Sequence, residues 1–137
     1  MRALDGSALA ALLEGDPAVR TVLRGLRGHE VGTTEISFAE LSCQIEVGPP
    51  RARAHRRMIL DRLRRKLTVL PIDGRAVAEA ARRAAASPRR PDLLRLLEWG
   101  ALEANGCEVL HTRAPPRTVP GGSWRFKVVR LVSSKMQ

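Results

Sequence analysis

"MRALDGSALAALLEGD" (residues 1–16) decides how the rest of the chain is read. Residues 1–4 are a short apolar strand candidate that ends on Asp5. From Ser7 onward, the spacing of Leu9, Leu12 and Leu13 predicts a helix that stops at Gly15. A carboxylate at a strand-to-helix handover has two readings. As structure, Asp, Gly and Ser are ordinary helix N-terminal residues, because their oxygens or small size suit unpaired backbone N–H groups; Ser7 would then be the cap without help from Asp5. As chemistry, ligands of an open parallel sheet gather beyond the carboxyl ends of its strands, which is where Asp5 would stand.

Working outward, the same alternation repeats. "DPAVRTVLRGLRG" (16–28) predicts a helix with proline at its tolerated first position, and "HEVGTT" (29–34) a second strand. "TEISFAELSCQIEVG" (34–48) is amphipathic, with Ile36, Leu41 and Ile45 on one stripe and Glu40 beside it. "RARAHRRMILDRLRRK" (51–66) is a basic helix whose apolar stripe is Ile59, Leu60, Leu63 and Leu67. Then come strand 67–72, an alanine-rich helix over 74–87, a helix begun after Pro91 and ended by Gly106, and a strand over 107–112. A proline-rich loop (113–122) leads to a fifth strand, "WRFKVVRL" (124–131), and a tail over 132–137 that frays. Helices alternating with short apolar strands predict an α/β fold: a central, mostly parallel sheet flanked by helices, in a single domain over 1–137.

The chain carries 24 Lys+Arg against 14 Asp+Glu, a formal net charge of +10. Three of the cations are lysines (Lys66, Lys127, Lys135), so arginine dominates. Arginine presents a planar fork of donors suited to phosphate or carboxylate, which points to a polyanionic partner, nucleic acid or an acidic protein segment. Cys43 and Cys107 are far apart and read as reduced, buried thiols of a cytoplasmic protein. The scattered His29, His55 and His111 make a zinc site a poor reading. No signal peptide is expected, since Asp5 interrupts the N-terminal apolar run, and no membrane partner is expected, since no apolar run nears the ~20 residues a span requires.

Three acids fall where such a sheet would place a site. Asp5 ends the first strand, Asp92 opens a helix where its charge suits the helix dipole, and Glu40 lies beside an apolar stripe where an unpaired charge is expensive. One hard divalent cation, Mg²⁺ or Mn²⁺, held by all three would account for each placement. Pairing with the abundant arginines would account for them equally well.

Here the residues resemble a family. "LDGSALAALLEGDPAVRTVL", "VGTTEISFAEL", "RARAHRRMILDRLRRKLTVLPIDGRAVAEAARR" and "GALEANGCEVLHTR", in that order and spacing, resemble a PIN domain and, more narrowly, a VapC-type toxin of a toxin–antitoxin pair. The resemblance implies a three-layer Rossmann-like fold and a Mg²⁺- or Mn²⁺-dependent endoribonuclease activity. Asp5, Glu40 and Asp92 would be catalytic and hold the metal. It also implies an RNA substrate, a cognate antitoxin and a homodimer. Ser7 would support the metal-binding acids and contact RNA, and Arg53, Arg56 and Arg57 would hold the RNA backbone.

Two departures stand out. Aligned without a gap, the third acidic position of the family belongs to Arg95, and Asp92 reaches it only with one extra helical turn. The fourth acid is missing from "TRAPPRTVPGG", where Arg117 stands near its place. The competing expectation is therefore a degenerate, catalytically inactive PIN domain that binds RNA or protein. Trp99, at helical spacing, reads as core.

Overall fold

The computed structural model describes residues 1–26, 30–87, 92–115 and 124–131. Its strands are β1 (Arg2–Leu4), β2 (Val31–Thr34), β3 (Thr68–Leu70), β4 (Val109–Thr112) and β5 (Lys127–Arg130). Its helices are α1 (Gly6–Leu13), α2 (Pro17–Gly25), α3 (Glu35–Val47), α4 (Pro50–Lys66), α5 (Gly74–Ala85) and α6 (Leu93–Ala104). The five strands form one sheet in the order β3-β2-β1-β4-β5. Every pairing is parallel, so the mostly parallel expectation is met throughout. His29, Arg117, the rest of the 116–123 segment and the 132–137 tail lie outside the described residues.

Side chains of β1 alternate between the two faces of the sheet, and this divides the core. Leu4 joins Ala8, Leu9, Val19, Phe38, Leu41, Ile45 and Leu60, the buried residues of α1 to α4. Ala3 joins Leu70, Trp99, Leu102, Leu110 and Phe126 on the side of α6. Trp99 is core, as its spacing predicts: it is 2% exposed and meets Trp124 and Phe126 edge-on. The layers are thus helix, sheet, helix. α5 is held against α6 by Gly100, whose missing Cβ would stand 2.6 Å from the Ala76 carbonyl oxygen.

Side-chain caps set most of the helix starts, α4 excepted. Asp16, Thr34, Asp73 and Asp92 each accept a bond from a backbone N–H of the helix that follows. Two expectations are corrected here. The cap of α1 is Asp5 and not Ser7: Asp5 Oδ1 accepts from Ala8 N at 3.0 Å, because Gly6 already has helical geometry and places Ser7 inside the first turn. Cys43 is exposed, since it lies on α3 away from the Leu41/Ile45 stripe, whereas Cys107 is buried as expected. Burial raises the Cys107 thiol to a pKa of about 11, which keeps it protonated and inert.

Candidate functional site

The carboxyl ends of β1, β2 and β4 come together at one edge of the sheet, and four segments converge there. Asp5, 6% exposed, follows β1 directly. Its Oδ1 accepts from Ser7 Oγ at 2.7 Å as well as from Ala8 N, so the carboxylate is fixed before any ligand arrives. Ser7 Oγ also lies 3.1 Å from Thr112 Oγ1 and accepts from the backbone N–H groups of Arg113 and Ala114. Ser7 thereby ties the start of α1 to the chain leaving β4.

α3 starts as β2 ends, and its first turns supply the second segment. Thr34 caps α3 by accepting from Ser37 N, and Ser37 Oγ donates to Glu98 Oε2 at 2.9 Å. One turn further on, Glu40 reaches toward α1, with Oε1 3.7 Å from where a Cβ on Gly6 would stand. That distance is an ordinary van der Waals contact, so the start of α1 packs against this part of α3 without a clash.

α6 supplies the centre of the arrangement. Arg95 Nη2 donates to Glu40 Oε1, and Arg95 Nη1 donates to Glu98 Oε1 at 2.9 Å. Glu98 is 1% exposed and stands one helical turn after Arg95. Its carboxyl is pushed up to about pH 7, first by burial and then by the charges of Asp5 and Glu40, against the opposing pull of Arg95 and Ser37. Burial works against the Arg95 cation in turn, but Glu98, Glu40 and Asp92 outweigh it and raise its pKa. Asp5, Glu40 and Glu98 therefore share one electrostatic neighbourhood with Arg95 among them.

Asp92 acts on Arg95 from the exposed end of α6. It is exposed and caps α6, its Oδ1 accepting from Leu94 N and Arg95 N at 3.0 and 3.4 Å. The arginines read as RNA contacts divide as well. Arg53 and Arg57 lie against Glu46, with Arg57 Nε donating to Glu46 Oε1 at 2.7 Å. Arg56 is half-buried and has no ion-pair partner among the described residues.

The three acids singled out from sequence do not converge as a metal set: among the described residues, no group of three or more His, Cys, Asp or Glu side chains is placed to hold one ion. The guanidinium of Arg95 occupies the carboxylate that a divalent ion would need on Glu40. As arranged, the centre does not fit a metal. Sequence reasoning missed Glu98. Its signal was there: a charge between Leu97 and Trp99 in an otherwise apolar run, three residues after an arginine, is the i,i+3 pairing pattern.

A PIN domain model matches residues 3–97, and the chain belongs to the PIN domain family. Its fold is shared with solved toxin–antitoxin structures. The DNA-bound VapBC complex from Salmonella typhimurium aligns with a TM-score of 0.74 and 16% identity, over 96% of this chain and 100% of that one. VapBC-5 from Mycobacterium tuberculosis aligns at 0.68 and 23%, over 94% and 97%. VapBC2 from Rickettsia felis, bound to a fragment of its promoter, aligns at 0.71 and 13%, over 82% and 86%. No curated protein sequence matches the chain.

Proposed function

We propose that this chain is a VapC-like PIN protein that engages RNA and an antitoxin-like protein through a centre charge-balanced by arginine, and that it does not cut RNA by metal-dependent hydrolysis. The observation that carries this reading is Arg95, held by Glu40 on one side and Glu98 on the other. A divalent ion binding at Glu40 would have to displace a fixed cation and then sit beside it, and the repulsion of like charges in a partly dry site is severe. Arg95 is also the residue that the gapless alignment puts at the family's third acidic position. A protein partner is supported by the solved relatives, which are toxin–antitoxin complexes, and RNA by the +10 charge.

Calorimetry with Mn²⁺ tests this directly. The wild-type chain is expected to give no saturable heat and to leave an RNA pool intact, whereas Arg95→Asp is expected to gain a saturable Mn²⁺ site. Saturable Mn²⁺ binding by the wild type, lost in Asp5→Asn, would overturn the proposal. That outcome would favour the second reading, a metal-dependent endoribonuclease. The observation behind the second reading is the acidic field that Asp5 and Glu40 exert on Glu98, since a cluster of like charges is what a divalent ion relieves.

A further inference from the structure

The cations of α4 fall into two rows that are treated differently. At about 100° per residue, Arg53, Arg57 and Arg64 share one face of the helix. That row is paired with acids: Arg53 and Arg57 share Glu46, and Arg64 makes a two-pronged pair with Glu35 at 2.8 and 2.9 Å. A second face carries Arg51, His55, Met58, Arg62 and Arg65, with Lys66 at its margin, and all six are exposed. Among the described residues, no acid forms an ion pair with that row. Arg51, Arg62 and Lys66 have neither an ion pair nor a hydrogen bond among the described residues, and Arg65 bonds only the Asp61 carbonyl of its own helix.

We propose that this outer row of α4 is a landing ridge for the phosphate backbone of single-stranded RNA. The proposal rests on the reading of the chain as an RNA-recognising PIN protein and adds a surface away from the acidic centre. A face kept basic only for solubility would mix signs, yet α4 carries a single acid, Asp61, among its arginines. The row is also held at a cost. Arg51 sits in the first turn, against the helix dipole, and Arg62, Arg65 and Lys66 repel one another at i,i+3 and i,i+4. A polyanion lying along the ridge removes both penalties.

Leu60 and the half-buried Ile59 and Leu63 pack α4 onto the core, which leaves the outer row facing solvent along the length of the helix. From Arg51 to Arg65 the ridge runs about 21 Å, room for a few nucleotides of flexible backbone. Phe38, Trp99 and Phe126 are buried, the half-buried Trp124 packs on Trp99 and Phe126, and α4 itself carries no aromatic, so affinity along this row would come from phosphates rather than stacking. His55, mid-ridge, offers a donor and an acceptor to a ribose 2′-hydroxyl, which favours RNA over DNA.

The full chain is titrated with a fluorescein-labelled 20-nucleotide oligouridylate at several salt concentrations, after melts confirm that each variant folds. Arg51→Gln/Arg62→Gln/Arg65→Gln is expected to weaken binding and flatten the slope of log affinity against log salt by about 2, at about 0.7 per lost phosphate contact. Arg53→Gln/Arg57→Gln/Arg64→Gln is expected to keep the wild-type slope. Oligothymidylate of equal length is expected to bind the wild type more weakly, and His55→Ala to narrow that difference. An unchanged slope in the outer variant, or equal flattening in both, overturns the ridge. Equal affinity for oligothymidylate overturns its assignment to RNA, and displacement by polyglutamate at matched charge shows an acidic protein to be its partner instead. The Mn²⁺ heats do not involve α4, so failure of the ridge and failure of the arginine-centred reading are separately visible.

Discussion

Asp5 does two jobs that substitution can separate. Its Oδ1 caps α1, and its charge acts on Glu98. Asp5→Ala removes the cap and is expected to cost about 0.5–2 kcal/mol in urea unfolding, the usual worth of an N-cap. Asp5→Asn keeps an acceptor and is expected to stay within about 0.5 kcal/mol of wild type, since asparagine caps as well as aspartate does. Glu98 makes the sharper prediction. Its folded pKa is raised from 4.5 to about 7, so between those values the folded state holds a proton that the unfolded chain has released. Stability should therefore fall as pH rises through that window and level off above it, by on the order of 3 kcal/mol in all. His111, whose pKa is lowered by burial and by Arg2, adds a slope of the opposite sign. The readout is thus the difference in urea midpoints between wild type and Glu98→Gln from pH 4.5 to 8. The variant should lose the downward slope and be the more stable of the two above pH 7.

At the scale of elements, the contact that depends most on one residue is α5 against α6. In an isolated helix, Gly100→Ala would gain about 1 kcal/mol of helix propensity. Here the added methyl meets the backbone of Ala76 at 2.6 Å and of Ala80 at 3.1 Å, and backbone cannot rotate aside. The helices must separate, which loosens Trp99 and Leu102 on the same helix. A net loss of about 1–3 kcal/mol is expected by thermal or urea melting, with near-ultraviolet dichroism reporting the change around Trp99. The caps of this molecule were mostly legible because they depend on three or four consecutive residues: Asp16 and Asp92 precede their helices by one position. The cap of α1 was expected at Ser7 and falls on Asp5, because both side chains can cap and the choice turns on whether Gly6 is the last turn residue or, as here, the first helical one.

For the whole molecule, a net charge of +10 on 137 residues means that folding gathers like charges. Raising NaCl from low to moderate concentration should raise the melting temperature, because screening relieves that repulsion more than it weakens surface pairs such as Arg57–Glu46. A fall in melting temperature with salt would mean that the ion pairs outweigh the repulsion. The polyanionic partner proposed here predicts a second effect in the same direction: an RNA that binds the folded state alone stabilises it by mass action, and high salt abolishes that gain.

The alternation of short apolar runs with amphipathic helices was readable in one dimension, because strand and helix periodicities are local. It fixed the parallel sheet, the position of Asp5 at its carboxyl edge, and the burial of Trp99. Which charges meet was not readable. Glu40 and Arg95 are 55 positions apart, and Ser37 and Glu98 are 61 apart. In sequence the outer and inner arginines of α4 look alike, and they differ because α3 brings Glu46 and Glu35 to one side of that helix and, among the described residues, no acid pairs with the other. Periodicity assigns a residue to a face of its own element. The crossing of two elements decides what that face meets, and with it whether an acidic residue waits for a metal ion or already holds an arginine.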